Sequence, residues 1–191
     1  MKTREELLER IETGETFEYL FFWDEPKRDV VDIACLNQWY AASFSMPIHG
    51  QGELHYIIFP TAEHYMMWAK ARVFYDYGIA DRILETKSPR EVQLLGREVK
   101  DYDDDKWRAL SFETVVEGNI EKFTQNPDIE KFLLSTGDKV LVEASPIDKI
   151  WGIGLHKDDP KARDPKKWLG ENKLGFALMQ VRKNLKEGKY E

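Results

Sequence analysis

The segment FPTAEHYMMWAKARVF, residues 59–74, sets the hardest condition on any fold this chain can adopt. The period turns helical at Thr61, and Met66, Met67, Ala71 and Phe74 form an apolar stripe that a folded chain must bury. Glu63 and Lys70 lie on nearly the same side. Seven residues turn a helix through about 700°, so the two side chains project within about 20° of each other, about 10 Å apart along the axis. An unpaired charge taken out of water costs several kcal/mol, so a carboxylate and an amine on a buried face need partners or a function. Rotating the helix to free both charges would expose the methionines and the phenylalanine. Thr61 is the expected N-cap, with Glu63 in the first turn where the helix dipole favours negative charge and His64 at the third position. The helix is expected to run to about Tyr77, ahead of Gly78.

The same punctuation organises the rest. TREELLERIETG places Leu7, Leu8 and Ile11 on one side and stops at Gly14, a short amphipathic helix. TFEYLFFW is rich in β-forming aromatics and predicts a strand, and DEPKRD a turn. Residues 30–59 mix short apolar runs with Pro47, Gly50 and Gly52, which predicts two or three short strands and loops. IADRILET reads as a short helix. SPREVQLLGREV starts a helix with Ser88 as cap and Pro89 at its first position. A long helix is expected over residues 106–125, another over NPDIEKFLLSTG, a strand in KVLVEAS and a closing helix in KLGFALMQVRKNLKEG. Helices outweigh strands, with no internal repeat and no linker. The expectation is α+β: one predominantly helical domain over residues 1–191, packed around a small sheet.

Charge and cysteine use exclude several classes. The 191 residues carry 35 acidic and 28 basic side chains, net −7, and 42% are hydrophobic. That is ample for a core and argues against disorder. It also disfavours general coating of nucleic acid, whose affinity comes from Lys and Arg on phosphates. The one cysteine, Cys35, permits no internal disulfide and sits among apolar neighbours in IACLN, so a buried structural thiol in a reducing compartment is expected. MKTREELLERIETGETF has no apolar leader run, and no window approaches a membrane span of about 20 apolar residues. The expected setting is cytoplasmic.

Two further stretches carry chemistry. In VLVEASPIDKIWGIGL a strand runs into a tight turn with Asp148, Trp151, Gly152 and Gly154: a carboxylate just past a strand end, glycines that admit a ligand to the backbone, and an indole able to stack on a base. The loop from Pro146 to the last helix exceeds the usual length for an unstructured connection, and its tryptophans and glycines point to an ordered binding loop. In WLGENKLG, Asn172 is placed to cap the final helix. DYDDD suits a helix start better than a metal site, the histidines at 49, 55, 64 and 156 have no zinc spacing, and no phosphate-loop, nucleophile-elbow or CxxC pattern occurs.

PTAEHYMMWAKA, LGREV, the isolated Trp107, KFTQNPDIEKFLLSTG, LVEASPIDKIWGIGL and WLGENKLGFALMQVR resemble, in order, the YbiA-like family, also called the NADAR superfamily. The resemblance covers residues 17–185. CLNQWYAASF is similar to the family's LSNFYPSPF, with Asn37 where the family has Ser and Gln38 where it has Asn. The resemblance implies an N-glycosidase that cleaves the bond between ribose and a nitrogenous base, with no cofactor and no metal. It implies Glu63, Lys70 and Asp148 as catalytic residues, and Trp107, Trp151, Arg97, Gly152, Asn172 and Gln38 around the substrate, with Gly96 and Asn172 helping to build the pocket. Its substrates are early riboflavin-pathway ribosylaminopyrimidine phosphates, or ADP-ribose on guanine in DNA or RNA.

Elementary chemistry agrees. N-glycosidic cleavage passes through an oxocarbenium-like state that a carboxylate such as Glu63 or Asp148 stabilises, or to which it delivers water. Trp107 or Trp151 can stack on the departing base, and an arginine suits a phosphate. A desolvated Lys70 has a lowered pKa and can form an imine with an opened ribose. Three readings compete: hydrolysis of a small phosphorylated riboside, removal of ADP-ribose from guanine in nucleic acid, and a catalytically silent nucleotide-binding module. The net charge leans toward the first, a basic rim of Lys157, Lys161, Arg163, Lys166 and Lys167 keeps the second, and the presence of both Glu63 and Asp148 disfavours the third. No membrane partner is expected.

Overall fold

A computed structural model describes residues 1–23, 30–50 and 53–189. The expected DEPKRD turn and Gly52 lie outside the described residues. Seven helices and four strands are described: α1 Arg4–Glu12, β1 Tyr19–Phe22, β2 Phe44–Gly50, β3 Glu53–Phe59, α2 Ala62–Val73, α3 Tyr77–Glu85, α4 Pro89–Arg97, α5 Asp104–Thr124, α6 Pro127–Ser135, β4 Val140–Glu143 and α7 Lys173–Glu187. The α+β expectation holds. The chain falls into two compact units, Gln38–Pro127 and a discontinuous one made of Met1–Asn37 with Asp128–Glu191.

In the unit Gln38–Pro127, β2 and β3 pair antiparallel from Phe44↔Phe59 to Gly50↔Glu53. Period-two alternation gives the hairpin an inner face of Phe44, Met46 and Phe59, all buried. The rings of Phe44, Phe59, Tyr65 and Trp68 gather there, with centroids 5.3–6.3 Å apart. Helix α2 is buried along Ala62–Trp68, and Met66, Met67, Ala71 and Phe74 are buried as expected. It packs against α3, α4 and α5. Gly118 on α5 makes one approach possible, because a Cβ there would collide with the Tyr65 ring.

Helix α2 ends at Val73, short of the expected Tyr77. Tyr75 takes a left-handed φ of 59°, and the Asp76 carboxylate accepts the Ile79 N–H at 3.2 Å, capping a new helix. Asp76 also accepts the Lys100 N–H at 3.0 Å. A cap that satisfies orphan donors outweighs continuation of the old helix, so Gly78 lies inside α3 rather than ending α2.

In the other unit, β1 and β4 pair parallel, Tyr19↔Val140 through Phe22↔Glu143. Val140, Leu141 and Val142 are fully buried, as a run of apolar residues in a parallel pair requires. Residues 33–36 form a 3-10 turn that buries Cys35. Helix α7 packs on β4, and Gly175 is needed there because a Cβ would strike the Leu141 carbonyl. The long loop is ordered by two 3-10 turns, Pro160–Arg163 and Pro165–Lys167, capped by Asp159 and Asp164. The Trp168 indole donates to the Ala162 carbonyl at 2.7 Å. No helix among the described residues is long and apolar enough to cross a membrane.

Candidate active site

The expected site residues divide between the units. Gln38, Glu63, Lys70, Arg97 and Trp107 belong to Gln38–Pro127, and Asp148, Trp151, Gly152 and Asn172 to the other.

Within Gln38–Pro127, α2 carries the pair that raised the first question. Glu63 is 6% exposed, and its N–H donates to the Gln38 carbonyl at 3.0 Å. Lys70 is half-buried, its ammonium donating to the Gly96 carbonyl at 2.7 Å and lying 4.1 Å from the Tyr102 ring centroid. Burial lowers the Lys70 pKa; Asp104 opposes that, Arg97 adds to it, and Glu63 pulls upward again. Glu63 and Lys70 are thus electrostatically coupled, as their helical spacing predicts. Arg97, the exposed last residue of α4, follows the carbonyl that holds Lys70. Trp107 is buried on α5. Gln38 is held by Asn119, whose Nδ2 donates to Gln38 Oε1 at 2.8 Å and to the Val115 carbonyl at 2.8 Å. The Thr61 cap is confirmed: Thr61 Oγ1 accepts the His64 N–H at 3.4 Å and lies 2.8 Å from His64 Nδ1. His64 Nε2 faces the Thr86 carbonyl at 3.0 Å, so Nε2 carries a hydrogen, and burial lowers the ring's pKa.

In the other unit, the turn after β4 is built around Asp148. Its Oδ1 accepts the N–H groups of Ile150 and Trp151, each at 2.8 Å, and its own N–H donates to Ser145 Oγ at 3.2 Å. Trp151 is half-buried, with the Lys173 ammonium 5.3 Å from its ring centroid. Gly152 is buried, and a Cβ on it would press on the carbonyls of Asp148 and Glu143 at 2.9 and 3.0 Å.

Asn172 departs from the expected cap. It occupies the N-cap position of α7 with φ 57°, and its side chain makes no capping hydrogen bond. The left-handed backbone turns the carboxamide to β4 instead: Nδ2 donates to the Leu141 carbonyl and Oδ1 accepts the Glu143 N–H, both at 2.9 Å. One amide thus fills the edge of β4 that β1 leaves open, as a neighbouring strand would. The residue is fully buried.

Three participants escaped the reading of the sequence. Tyr102 sits inside DYDDD, whose sequence signal is a helix start; Asp103 does cap α5, accepting the Lys106 N–H at 2.8 Å. Asn119 has no sequence signal beyond a polar residue on an otherwise buried helix face. Glu143, in the EAS of the strand-end motif, is 7% exposed with Oε2 unpartnered among the described residues. Burial and then Asp148 raise its pKa well above the ordinary carboxyl range.

The helices and short strands are those of an α+β protein, and the NADAR domain is the family that the chain fits. A profile of that domain matches residues 21–186, and the chain belongs to the NADAR family. N-glycosidase R617 of Acanthamoeba polyphaga mimivirus is 39% identical over 168 residues, covering 88% of this chain and 96% of that protein. N-glycosidase YbiA of Escherichia coli (strain K12) is 29% identical over 126 residues, 66% of this chain and 70% of that protein. Riboflavin biosynthesis protein VVA0006 of Vibrio vulnificus (strain YJ016) is 31% identical over 128 residues, 67% of this chain and 31% of that protein. The NMR structure of Escherichia coli YbiA shares the fold, with a TM-score of 0.63 at 24% identity over 93% of this chain and 90% of that one.

Proposed function

We propose that the chain hydrolyses the C–N bond between ribose and base in a small phosphorylated ribosylaminopyrimidine, an early intermediate of riboflavin biosynthesis. The reaction class, hydrolysis of an N-glycosyl bond, accords with the names of the relatives R617 and YbiA, and the pathway with that of VVA0006. The observation that carries the reading is the buried Glu63 coupled to a half-buried Lys70 of lowered pKa. Such a carboxylate stabilises the positive charge that grows at C1′ as the base departs, or draws a proton from the attacking water. Lys70 has two available roles. As an ammonium it binds the substrate phosphate. As an amine it forms an imine with ribose opened to its aldehyde, which requires leaving the Gly96 carbonyl. The half-buried Trp151 offers a stacking face for a base, and the exposed Arg97 forked donors for a phosphate. Asp148 spends one oxygen on two backbone N–H groups, which suits it to shaping the Trp151 turn and leaves the other oxygen for chemistry.

The second reading, removal of ADP-ribose from guanine in DNA or RNA, needs a basic rim. Lys161, Arg163, Lys166 and Lys167 are exposed on the 3-10 turns, but Lys167 pairs with Asp164 at 3.3 Å and Lys166 with Glu12 at 3.7 Å. That partial neutralisation favours the small riboside. A silent binding module would gain nothing from a buried carboxylate beside a phosphorylated ligand. The deciding experiment incubates the protein with ribosylaminopyrimidine phosphate and, separately, with DNA bearing ADP-ribosylated guanosine, and reads the released base by mass spectrometry. Release from the first alone is expected. Release from the DNA alone selects the second reading, and none from either selects the binder.

A further inference from the structure

The Asp148 turn follows the C-terminal end of β4. At the N-terminal ends of β1 and β4 lies a cavity of about 690 Å³, walled by residues 15–18, residues 135–139, Arg10 of α1 and the second half of α7. All of it belongs to the discontinuous unit, and none of the expected site residues lines it. Arg182 of α7 stands in its wall, 5% exposed. The guanidinium donates to Thr136 Oγ1 at 2.7 Å and to the Lys139 carbonyl at 2.9 Å. Both acceptors are neutral. They take two of its five N–H donors, and no carboxylate among the described residues forms an ion pair with it. Burial lowers the Arg182 pKa and Asp138 opposes the shift, but Asp138 is itself held by the Lys186 ammonium at 3.1 Å. A buried cation whose hydrogen-bond partners are all neutral is costly, and an anion entering the cavity relieves that cost. The other charges of the wall largely cancel. Arg10 pairs with Glu15, Lys139 with Glu18 at 3.4 Å, and Glu187 with Lys189 at 2.8 Å. The exposed Lys183 lies in the field of Glu187 but forms no ion pair among the described residues. Two cations, Arg182 and Lys183, are therefore left for a ligand.

We propose that this cavity is a second ligand site, for a nucleotide whose phosphates meet Arg182 and Lys183 and whose base lies against Phe17 and Met179. A guanidinium offers paired donors to phosphate oxygens, and Lys183 adds the second positive charge that a phosphate dianion calls for. Phe17 and Met179 are half-buried apolar side chains of the same wall, and the Arg10 guanidinium lies 4.9 Å from the Phe17 ring centroid. The volume falls within the range of about 300–1,000 Å³ usual for small-molecule sites, well beyond what a bare phosphate fills. A flat organic body joined to the phosphate uses the remaining space. The site stands apart from the N-glycosidase reading, because it shares no residue with the candidate active site.

Calorimetric titration of the whole chain with ADP, and separately with adenosine and with inorganic phosphate, reads the site without turnover. ADP is expected to bind with a Kd of about 0.1 mM or tighter. Adenosine and inorganic phosphate should each bind at least about tenfold more weakly, since each lacks one half of the contacts. Backbone amide NMR shifts on adding ADP should map to residues 136–139 and 179–186. Arg182→Lys keeps the charge and removes the fork, and should weaken ADP about tenfold or more. If that variant does not fold, Lys183→Glu, on the exposed rim, takes its place with the same expected loss. No binding of ADP up to about 1 mM, or full affinity in the folded variant, overturns the proposal. So do shifts that miss residues 136–139 and 179–186, which would put ADP elsewhere on the protein. Inorganic phosphate that binds as tightly as ADP overturns it too, because the base then takes no part.

Discussion

Asn172→Ala tests whether one carboxamide completes the open edge of β4. The substitution removes both bonds at 2.9 Å and leaves the Leu141 carbonyl and the Glu143 N–H without that partner. Leu141 is fully buried and Glu143 is 7% exposed, so water has little access to replace it. Each orphaned group costs about 1–3 kcal/mol. The φ of 57° adds about 1 kcal/mol, since alanine tolerates the left-handed region less well than asparagine. The sum is about 5 kcal/mol. At about 2–4 °C per kcal/mol for a chain of this size, the melting temperature should drop by about 10–20 °C. Denaturant and thermal melts of Asn172→Ala and Asn172→Gly separate the contributions: glycine loses both hydrogen bonds but not the backbone preference, so it should fall less. KM for any substrate should move little, because both ends of the side chain are occupied within the protein. A loss below about 1 kcal/mol in Asn172→Ala, or a glycine variant weaker than the alanine one, would refute the strand-edge account.

Three other expectations follow from named groups. Glu63→Gln should fold normally and lose about 10²-fold or more in turnover, measured by base release; wild-type turnover in the folded variant removes Glu63 from the mechanism. Borohydride added during turnover should trap a ribosyl adduct that peptide mass mapping places on Lys70. Lys70→Arg should abolish it, because a guanidinium is not a usable nucleophile near neutral pH; no adduct together with a fully active Lys70→Arg sinks the imine role. His64 is buried and that burial lowers its pKa, so its contribution to stability is present above its unfolded value of about 6.5 and is lost as pH falls through that value toward the folded one. Melts of wild type and His64→Gln across that window should converge as pH falls, and parallel curves would show that His64 does not titrate there.

Local rules of the chain decided most of the elements. Thr3, Ser88, Asp103 and Thr61 cap helices because a side-chain oxygen beside free N–H groups acts over three residues and needs no tertiary contact. The Met66, Met67, Ala71, Phe74 stripe and the Glu63–Lys70 spacing likewise follow from helical period alone, and the structure buries the stripe and couples the pair. Tertiary structure decided what depends on competing partners. Helix α2 stops at Val73 because Asp76 finds both Ile79 and Lys100 N–H groups, and Lys100 lies too far along the chain for a local rule to see. Asn172 looks like a helix cap in sequence and becomes a strand-edge clamp, because among the described residues no second strand pairs with β4. Lys70 meets Tyr102 and the Gly96 carbonyl only once α4 and the segment ahead of α5 close on α2. Glu143 reads in sequence as one more strand-end acid. Its buried, unpartnered oxygen and its raised pKa arise from β1, α7 and the Asp148 turn packing around it, an environment that no single stretch of sequence contains.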